Sequence, residues 1–351
     1  MRKRLLDWLS CPGCGQELSL VVNCWEGEEV VEGALHCDCG QTFPIIGGVP
    51  RMLPDDLRKE LPYLYPNFFN RHPGFFDTAA INNQNLAEET KRATINRFGY
   101  EWTHFSSYKC DNFEQFIRPL PKHFFSGKVG LDIGCGAGRH AGEASKKGAE
   151  IIGIDMSQAV DAARRNNFSN KRVHIVQADI FNLPFRKEIF HFIYSIGVLH
   201  HLAEPERGYQ ALIPFLKKKG SIFIWVYAYA FRKVVLEILR SISRRLSNEN
   251  IRRMAYVCNL LDYGILMNLY RVMLHLPIVG NTVTPYVPLR VKEYLAHGFH
   301  VAYTDWFDRL SAPISNYYKE DKMHDWLARS GLNNTELLMV GDSWWWLYGE
   351  R

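Results

Sequence analysis

No stretch of about 18 uninterrupted apolar residues occurs in the 351-residue sequence, so no membrane-spanning helix is expected. A secretory leader is not visible either. Met1-Arg2-Lys3-Arg4 is basic, but the apolar segment behind it, Leu5 to Leu9, is short and holds Asp7. Charge of one sign is not in large excess: a formal net charge of +5 permits an anionic partner without demanding one. With 47% hydrophobic and 23% charged residues, the composition is that of a folded chain. Cysteine is sparse, at eight residues, and these are expected as thiols or metal ligands rather than disulfides. The expected location is the cytoplasm, including the surface of a membrane facing it. The length suggests two domains.

What is present centres on Val129 to Asp155. An apolar run, Val129 to Ile133, predicts a buried strand. The turn Gly134-Cys135-Gly136-Ala137-Gly138 follows, then a helix over Arg139 to Lys147 stopped by Gly148. A second apolar run, Ala149 to Ile154, ends on Asp155. This is one βαβ unit of a parallel sheet. Glycines let a ligand lie against the backbone, and the helix start behind them offers free N–H groups. An acid at the tip of the second strand is placed to accept both ribose hydroxyls of a nucleoside.

A glycine turn alone is a weak signal, since dinucleotide enzymes use related loops. Its surroundings sharpen it. Leu131 to Gly138 resembles the first motif of class I S-adenosylmethionine-dependent methyltransferases. Val176-Gln177-Ala178-Asp179-Ile180 is similar to that family's third-strand motif. Leu183-Pro184-Phe185 followed by Phe190 to His201 resembles its fourth-strand motif. The resemblance covers roughly residues 100 to 228, and is to the type 11-like small-molecule subgroup. It implies an α/β fold, Rossmann-like, with a seven-stranded sheet holding one antiparallel strand, and S-adenosyl-L-methionine as cofactor. It also implies cofactor contacts from Asp132, Gly134, Gly136, Gly138, Asp155, Met156, Asp179, Ile180 and Ser195. Asp155 would hold the ribose and Asp179 the adenine amine, with Met156 and Ile180 flanking the ring. Asp132 would order the glycine loop or reach the methionine ammonium through water. His200 and His201 are the candidate catalytic residues, as general bases. His191 stands where the family usually has an acid.

Residues 1–54 predict a separate unit. Cys11-Pro12-Gly13-Cys14 places two thiolates where one tetrahedral metal binds both. Cys37 and Cys39 supply a second, narrower pair, with His36 as the alternative to Cys37. Cys24 reads as a plain thiol. Leu18 to Val22 and Val30 to Leu35 alternate as a β-ribbon should. The ligand set is Cys11, Cys14, Cys37 and Cys39, around a structural zinc. Leu5 to Pro12 with Cys39 to Leu53 is similar to the small zinc-ribbon activator subunit of tRNA, rRNA and release-factor methyltransferases. In that family the ribbon packs on a partner enzyme; here both would share one chain.

Residues 55–98 predict a linker and a lead-in helix, and 99–351 the methyltransferase domain. Phe98 to Phe105 is expected over the sulfonium and the substrate. Gly220 to Tyr227 is the fifth strand, and the sixth begins near Thr335, so a helical insertion at about 229–300 separates them. Phe231 to Leu246 and Ile251 to Leu276 read as amphipathic helices. Between Lys217 and Arg253 stand ten Lys or Arg and two acids. Tyr303 to Tyr318 is similar to the substrate-side loop of small-molecule members.

The expected acceptor is an oxygen or carbon of a small-molecule, lipid-linked or sugar-linked metabolite, with peripheral membrane contact through the basic helices. The second reading is an RNA or protein methyltransferase with its activator fused in the same chain, nucleic acid being the less favoured partner. The third is a binding protein without activity. No (Asp/Asn)-Pro-Pro-(Tyr/Phe) sequence follows the fourth strand, which argues against methylation of an amino nitrogen.

Overall fold

The computed structural model describes residues 1–75, 86–105, 112–229, 233–276, 289–341 and 343–351. Within the linker and lead-in helix read at 55–98, residues 76–85 lie outside these, as do 230–232 and 277–288 of the insertion.

The strands are β1 (Ser19–Glu26), β2 (Glu29–His36), β3 (Thr42–Ile46), β4 (Val49–Met52), β5 (Val129–Ile133), β6 (Glu150–Asp155), β7 (Val173–Ala178), β8 (Phe190–Ile196), β9 (Leu216–Tyr227), β10 (Asn333–Val340) and β11 (Trp344–Glu350). They join in one sheet, in the order β1-β2-β3-β4-β7-β6-β5-β8-β9-β11-β10. From β7 to β10 this is the sheet expected of a class I methyltransferase. β7, β6, β5, β8 and β9 run parallel, and β11 is antiparallel to both β9 and β10. Central parallel strands are covered on both faces, so they read as continuous apolar runs. All six residues of β7 are buried. The strand ends at Ala178, one residue short of Asp179, because the Asp179 carboxylate accepts from the Phe181 N–H at 3.1 Å and turns the chain.

The N-terminal ribbon does not stand apart. β4 pairs in parallel with β7, Arg51 opposite Gln177 and Met52 opposite Ala178. Arg51 is fully buried and donates to the Gln177 side chain at 3.1 Å, the Ile46 carbonyl at 3.0 Å and Asp161 at 2.5 Å. Its guanidinium lies over the Tyr65 ring at 4.5 Å, and the Tyr65 hydroxyl reaches Asp161 at 2.7 Å. Leu5, Leu9, Val30, Leu35, Phe43 and Met52 share one core with Ile152, Val176 and Phe185. Burying a cation is costly, and three acceptors and an aromatic face offset this here, leaving only Nε without a hydrogen-bond partner among the described residues.

The helices used below are α1 (Leu86–His104), α2 (Arg139–Lys146), α3 (Ala159–Asn166), α4 (Pro205–Leu212), α5 (Lys233–Ser243), α6 (Asn248–Leu261), α7 (Asn268–His275), α8 (Leu289–His297), α9 (Phe299–Ser311) and α10 (Glu320–Ser330). Phe98 to His104 is helical, as part of α1. The segment read as a substrate-side loop is helical up to Ser311. Gly298, at φ +89°, starts α9, and no breaker follows before Pro313. Ile251 to Leu276 is not one even helix, because a π-helical turn at Asp262–Met267 separates α6 from α7. Ile251 and Ala255 of α6 pack with Phe105, Phe307 and Leu310, while Val257, Leu261, Ile265, Leu269 and Val272 face outward.

Candidate active site

The glycine loop connects β5 to α2 at the C-terminal edge of the sheet, where α/β proteins bind ligands. Gly134, Gly136 and Gly138 have φ of +70°, +51° and +76°. A Cβ on Gly134 would meet Val198 at 2.5 Å, and one on Gly136 would meet the Trp102 ring at 3.1 Å. The loop is tied to the next strand by Asp155. One carboxylate oxygen accepts from the Gly136 N–H at 3.0 Å. The other accepts from the Ser157 N–H and hydroxyl at 2.8 and 2.7 Å. Three donors take three of its roughly four acceptor positions. The room left is for one ligand hydroxyl rather than two.

Two adjoining cavities open beside this loop. The smaller, of about 150 Å³, is lined by Ile95, Phe98, Asp155, Met156, Ile180 and His201, among others. The larger, of about 500 Å³, runs from the glycine loop under α1 and α9 to Trp225, Tyr227 and Trp344. Trp102, Gly134, Ile196, Gly197 and Asp308 line both. The small cavity has the acid and the apolar walls that a nucleoside needs. Gly197, at φ +77°, has open space where a Cβ would stand. These residues fit S-adenosylmethionine, the nucleoside in the small cavity and the amino-acid arm toward the large one.

Not every expected contact faces these cavities. Asp179 is buried and paired with Lys91 of α1 at 2.7 Å, and lines neither cavity. Ser195 donates to the Ile133 carbonyl at 3.2 Å inside the sheet. Gly138 packs beneath the loop, where a Cβ would meet Asn167 at 2.6 Å. Asp132 is buried on β5, and burial, with the charge of Asp155 adding, pushes its carboxyl up to about 7. His191 accepts from the Val129 N–H at 3.0 Å, tying β8 to β5.

His200 and His201 begin the turn after β8 and are both buried. His201 donates from Nδ1 to the Ile314 carbonyl at 2.7 Å and lines the small cavity. Burial lowers its pKa to about 4. His200 lines the large cavity and stacks against Tyr227 at 3.8 Å, and burial holds its pKa well below the ordinary value. Both rings are therefore neutral and weakly basic.

The two segments read toward the substrate, Phe98 to Phe105 and Tyr303 to Tyr318, bring Glu101, Trp102, Asp308 and Arg309 to the large cavity, while Arg139 and His140, which also line it, were not read as site residues. Glu101 had a local signal: the one acid in the aromatic and polar segment Phe98 to Phe105. Arg309 had no signal of its own, because only the packing of α9 turns it toward the cavity.

At the far end of the sheet, Cys11, Cys14, Cys37 and Cys39 come together, their sulfurs all within 4.8 Å of one another. Two sulfurs on one tetrahedral zinc lie about 3.8 Å apart. Cys11 and Cys39 are at 3.7 Å, and Cys14 and Cys37 at 3.4 Å. His36 turns away to Thr42 at 2.9 Å. Four thiols at this spacing suit a structural zinc.

Residues 131–224 match the model of a family described as a methyltransferase domain. The chain carries the domain of a class I S-adenosylmethionine-dependent methyltransferase. Over 132 residues it is 35% identical to a tRNA (carboxymethyluridine(34)-5-O)-methyltransferase of Xenopus tropicalis, covering 36% of this chain and 19% of that protein. Over 117 residues it is 32% identical to the tRNA (carboxymethyluridine(34)-5-O)-methyltransferase of Saccharomyces cerevisiae, covering 32% of this chain and 39% of that one. A solved structure of a 1,6-didemethyltoxoflavin-N1-methyltransferase from Burkholderia thailandensis aligns over 78% of this chain and 93% of its own, at 11% identity and a TM-score of 0.46. The chain spans less than half the length of these two curated relatives.

The tRNA relatives overturn the expectation of a metabolite acceptor, and with it the preference for a small-molecule partner over nucleic acid. The missing Pro-Pro motif argues only against an amino nitrogen. It does not separate a metabolite oxygen from an RNA oxygen, and an aromatic cavity suits a nucleobase equally. Glu237 pairs with Arg240 and Arg244, and Glu249 with Arg252 and Arg253. No helix among the described residues is long and apolar enough to cross a membrane.

Proposed function

We propose that this chain methylates a carboxylate oxygen borne by a uridine of tRNA, with its zinc ribbon in the same chain as the enzyme. The observation that carries the reading is the large cavity beside the glycine loop, where aromatic walls and the Arg309 guanidinium stand together. The names of the tRNA relatives support it. S-adenosylmethionine, when bound, supplies an electrophilic methyl group. Asp155, Met156 and Ile180 would hold its nucleoside, and the loop from Gly134 to Gly136 its amino-acid arm.

The residues on the acceptor side have a matching task. Trp102, Trp225, Tyr227 and Trp344 offer faces for a base. Arg309 and Arg139 offer charge to a carboxylate. A carboxylate arrives as an anion, so no proton must be removed, and two weakly basic histidines are no handicap to it. His200 and His201 are then positioning groups, and alignment and exclusion of water do the remainder. Residues 1–54 act on 99–351 as a built-in support, with 55–98 between them. Arg244 and Arg245, between α5 and α6, and Arg252 and Arg253 of α6 would meet the RNA backbone.

The full chain, incubated with methyl-labelled S-adenosylmethionine and tRNA bearing 5-carboxymethyluridine, should place label in the tRNA that mild base releases, as a methyl ester does. Base-stable label, or none, sinks this reading. Reversing Arg244, Arg245, Arg252 and Arg253 to Glu should weaken tRNA binding and flatten its salt dependence, by about one log-log slope unit per lost phosphate contact. Unchanged salt dependence returns these helices to a solvated face.

A further inference from the structure

Glu101 sits in the last turn of α1 with no exposed surface, and neither carboxyl oxygen has a hydrogen-bond partner among the described residues. A buried polar group without a partner is costly, and native exceptions call for a reason. Glu101 lines the large cavity. So does His200, equally buried, with neither ring nitrogen partnered among the described residues. Two unmet polar side chains thus open on one space walled by Trp102, Trp225, Tyr227 and Trp344. The rings can offer a face to a flat ligand, and the two polar groups can meet its edge.

We propose that Glu101 is a specificity-determining residue that reads the hydrogen-bonding edge of a uracil base extruded from its stack into the large cavity, with His200 as the second edge contact. The proposal rests on the RNA reading above. Burial, with the negative charges of Asp308 and Asp305 adding, holds the Glu101 carboxyl well above the usual carboxylate range. A neutral carboxyl presents a carbonyl acceptor beside an O–H donor. Uracil presents N3–H beside a carbonyl oxygen, so the two edges close a pair of hydrogen bonds. Enzymes that act on a base take it out of the stack and read this edge.

The test compares two RNA hairpins carrying 5-carboxymethyluridine in the loop, one of them also methylated at N3 of that base. Methylation at N3 removes the donor and adds bulk at the edge. With the full chain, kcat/KM should favour the unblocked hairpin by roughly 10- to 100-fold, the discrimination of one bidentate base contact. Glu101→Leu should lower kcat/KM on the unblocked hairpin and lose most of this preference. Glu101→Gln, whose amide also offers an acceptor beside a donor, should keep most of both. Because Glu101→Leu deletes an unmet polar group, its melting temperature should match or exceed that of the wild type. An undiminished preference in Glu101→Leu overturns the proposal. So does a lower melting temperature or failure to fold, which assigns Glu101 to the fold. If the wild type methylates neither hairpin, the RNA reading itself fails and takes this proposal with it.

Discussion

At the small cavity the acids are met. Asp155 receives three protein donors, and Asp179 nearby holds Lys91 and the Phe181 N–H. At the large cavity the Glu101 and His200 side chains are buried with no hydrogen-bond partner among the described residues. At the first end the acid is held by near chain neighbours, Gly136 of the glycine loop and Ser157, and these bonds are made before a ligand arrives, while the cavity walls also come from α1, β7, the turn after β8 and α9. The second is built by α1, the turn after β8, β9 and α9, segments more than 200 residues apart at the extremes of the sequence. Its hydrogen-bonding capacity is left over for whatever enters. A pre-formed end suits a ligand common to many enzymes, and an unmet end is where selection of the acceptor resides.

The largest expected effect comes from the ribbon, which supports the pre-formed end. β4 lies beside β7, one residue before Asp179. The wild-type chain should hold about one zinc, and Cys11→Ser should release it and unfold residues 1–54, because ligation energy is folding energy in so small a unit. Affinity for S-adenosylhomocysteine should fall as well. A metal-free chain whose first residues stay folded would break the comparison at this point.

Next in size, Asp155→Ala removes a ligand contact and the tie to the glycine loop together. At roughly 1.5–3 kcal/mol for each charge-assisted hydrogen bond, S-adenosylhomocysteine should bind about a hundredfold more weakly or worse by calorimetry. Wild-type affinity in this variant would remove the cofactor assignment.

The smallest effect is one of pH. The Asp132 carboxyl is raised from 3.8 to about 7 in the folded chain. Between these values the folded chain keeps a proton that the unfolded chain has lost. Stability from this group is therefore full below about pH 4 and declines as the pH rises to about 7, by roughly 1.4 kcal/mol per unit. Asp132→Asn does not titrate there. Its stability relative to the wild type should improve by about 2–3 kcal/mol between pH 5 and 7 in denaturant unfolding. A difference independent of pH would mean that Asp132 is ionised, and would place it with the satisfied acids.

Much of this molecule was legible in the sequence. The spacing of Cys11, Cys14, Cys37 and Cys39 led to one cluster, since a metal site needs little beyond two close pairs on a ribbon. The glycine turn followed by Asp155 was legible for the same reason: a βαβ unit is completed within about thirty residues. The acceptor was misread. Aromatic residues near a methyltransferase core carry no label for metabolite or RNA, and the absence of one motif excluded one chemistry only. His200 and His201 read as bases because histidine titrates near neutrality, yet burial removes that property.

The sequence by itself determined the backbone of the cofactor site and the ligand set of the metal cluster, because both depend on residue types at short spacing. Only the tertiary structure decided which acids are engaged. Lys91 reaches Asp179 from α1, while Glu101, ten residues further along the same helix, is left unmet inside a cavity. It also decided that the ribbon continues the enzyme's sheet through β4 and the buried Arg51. Burial and partnership are set by segments distant along the chain, and no local pattern records them.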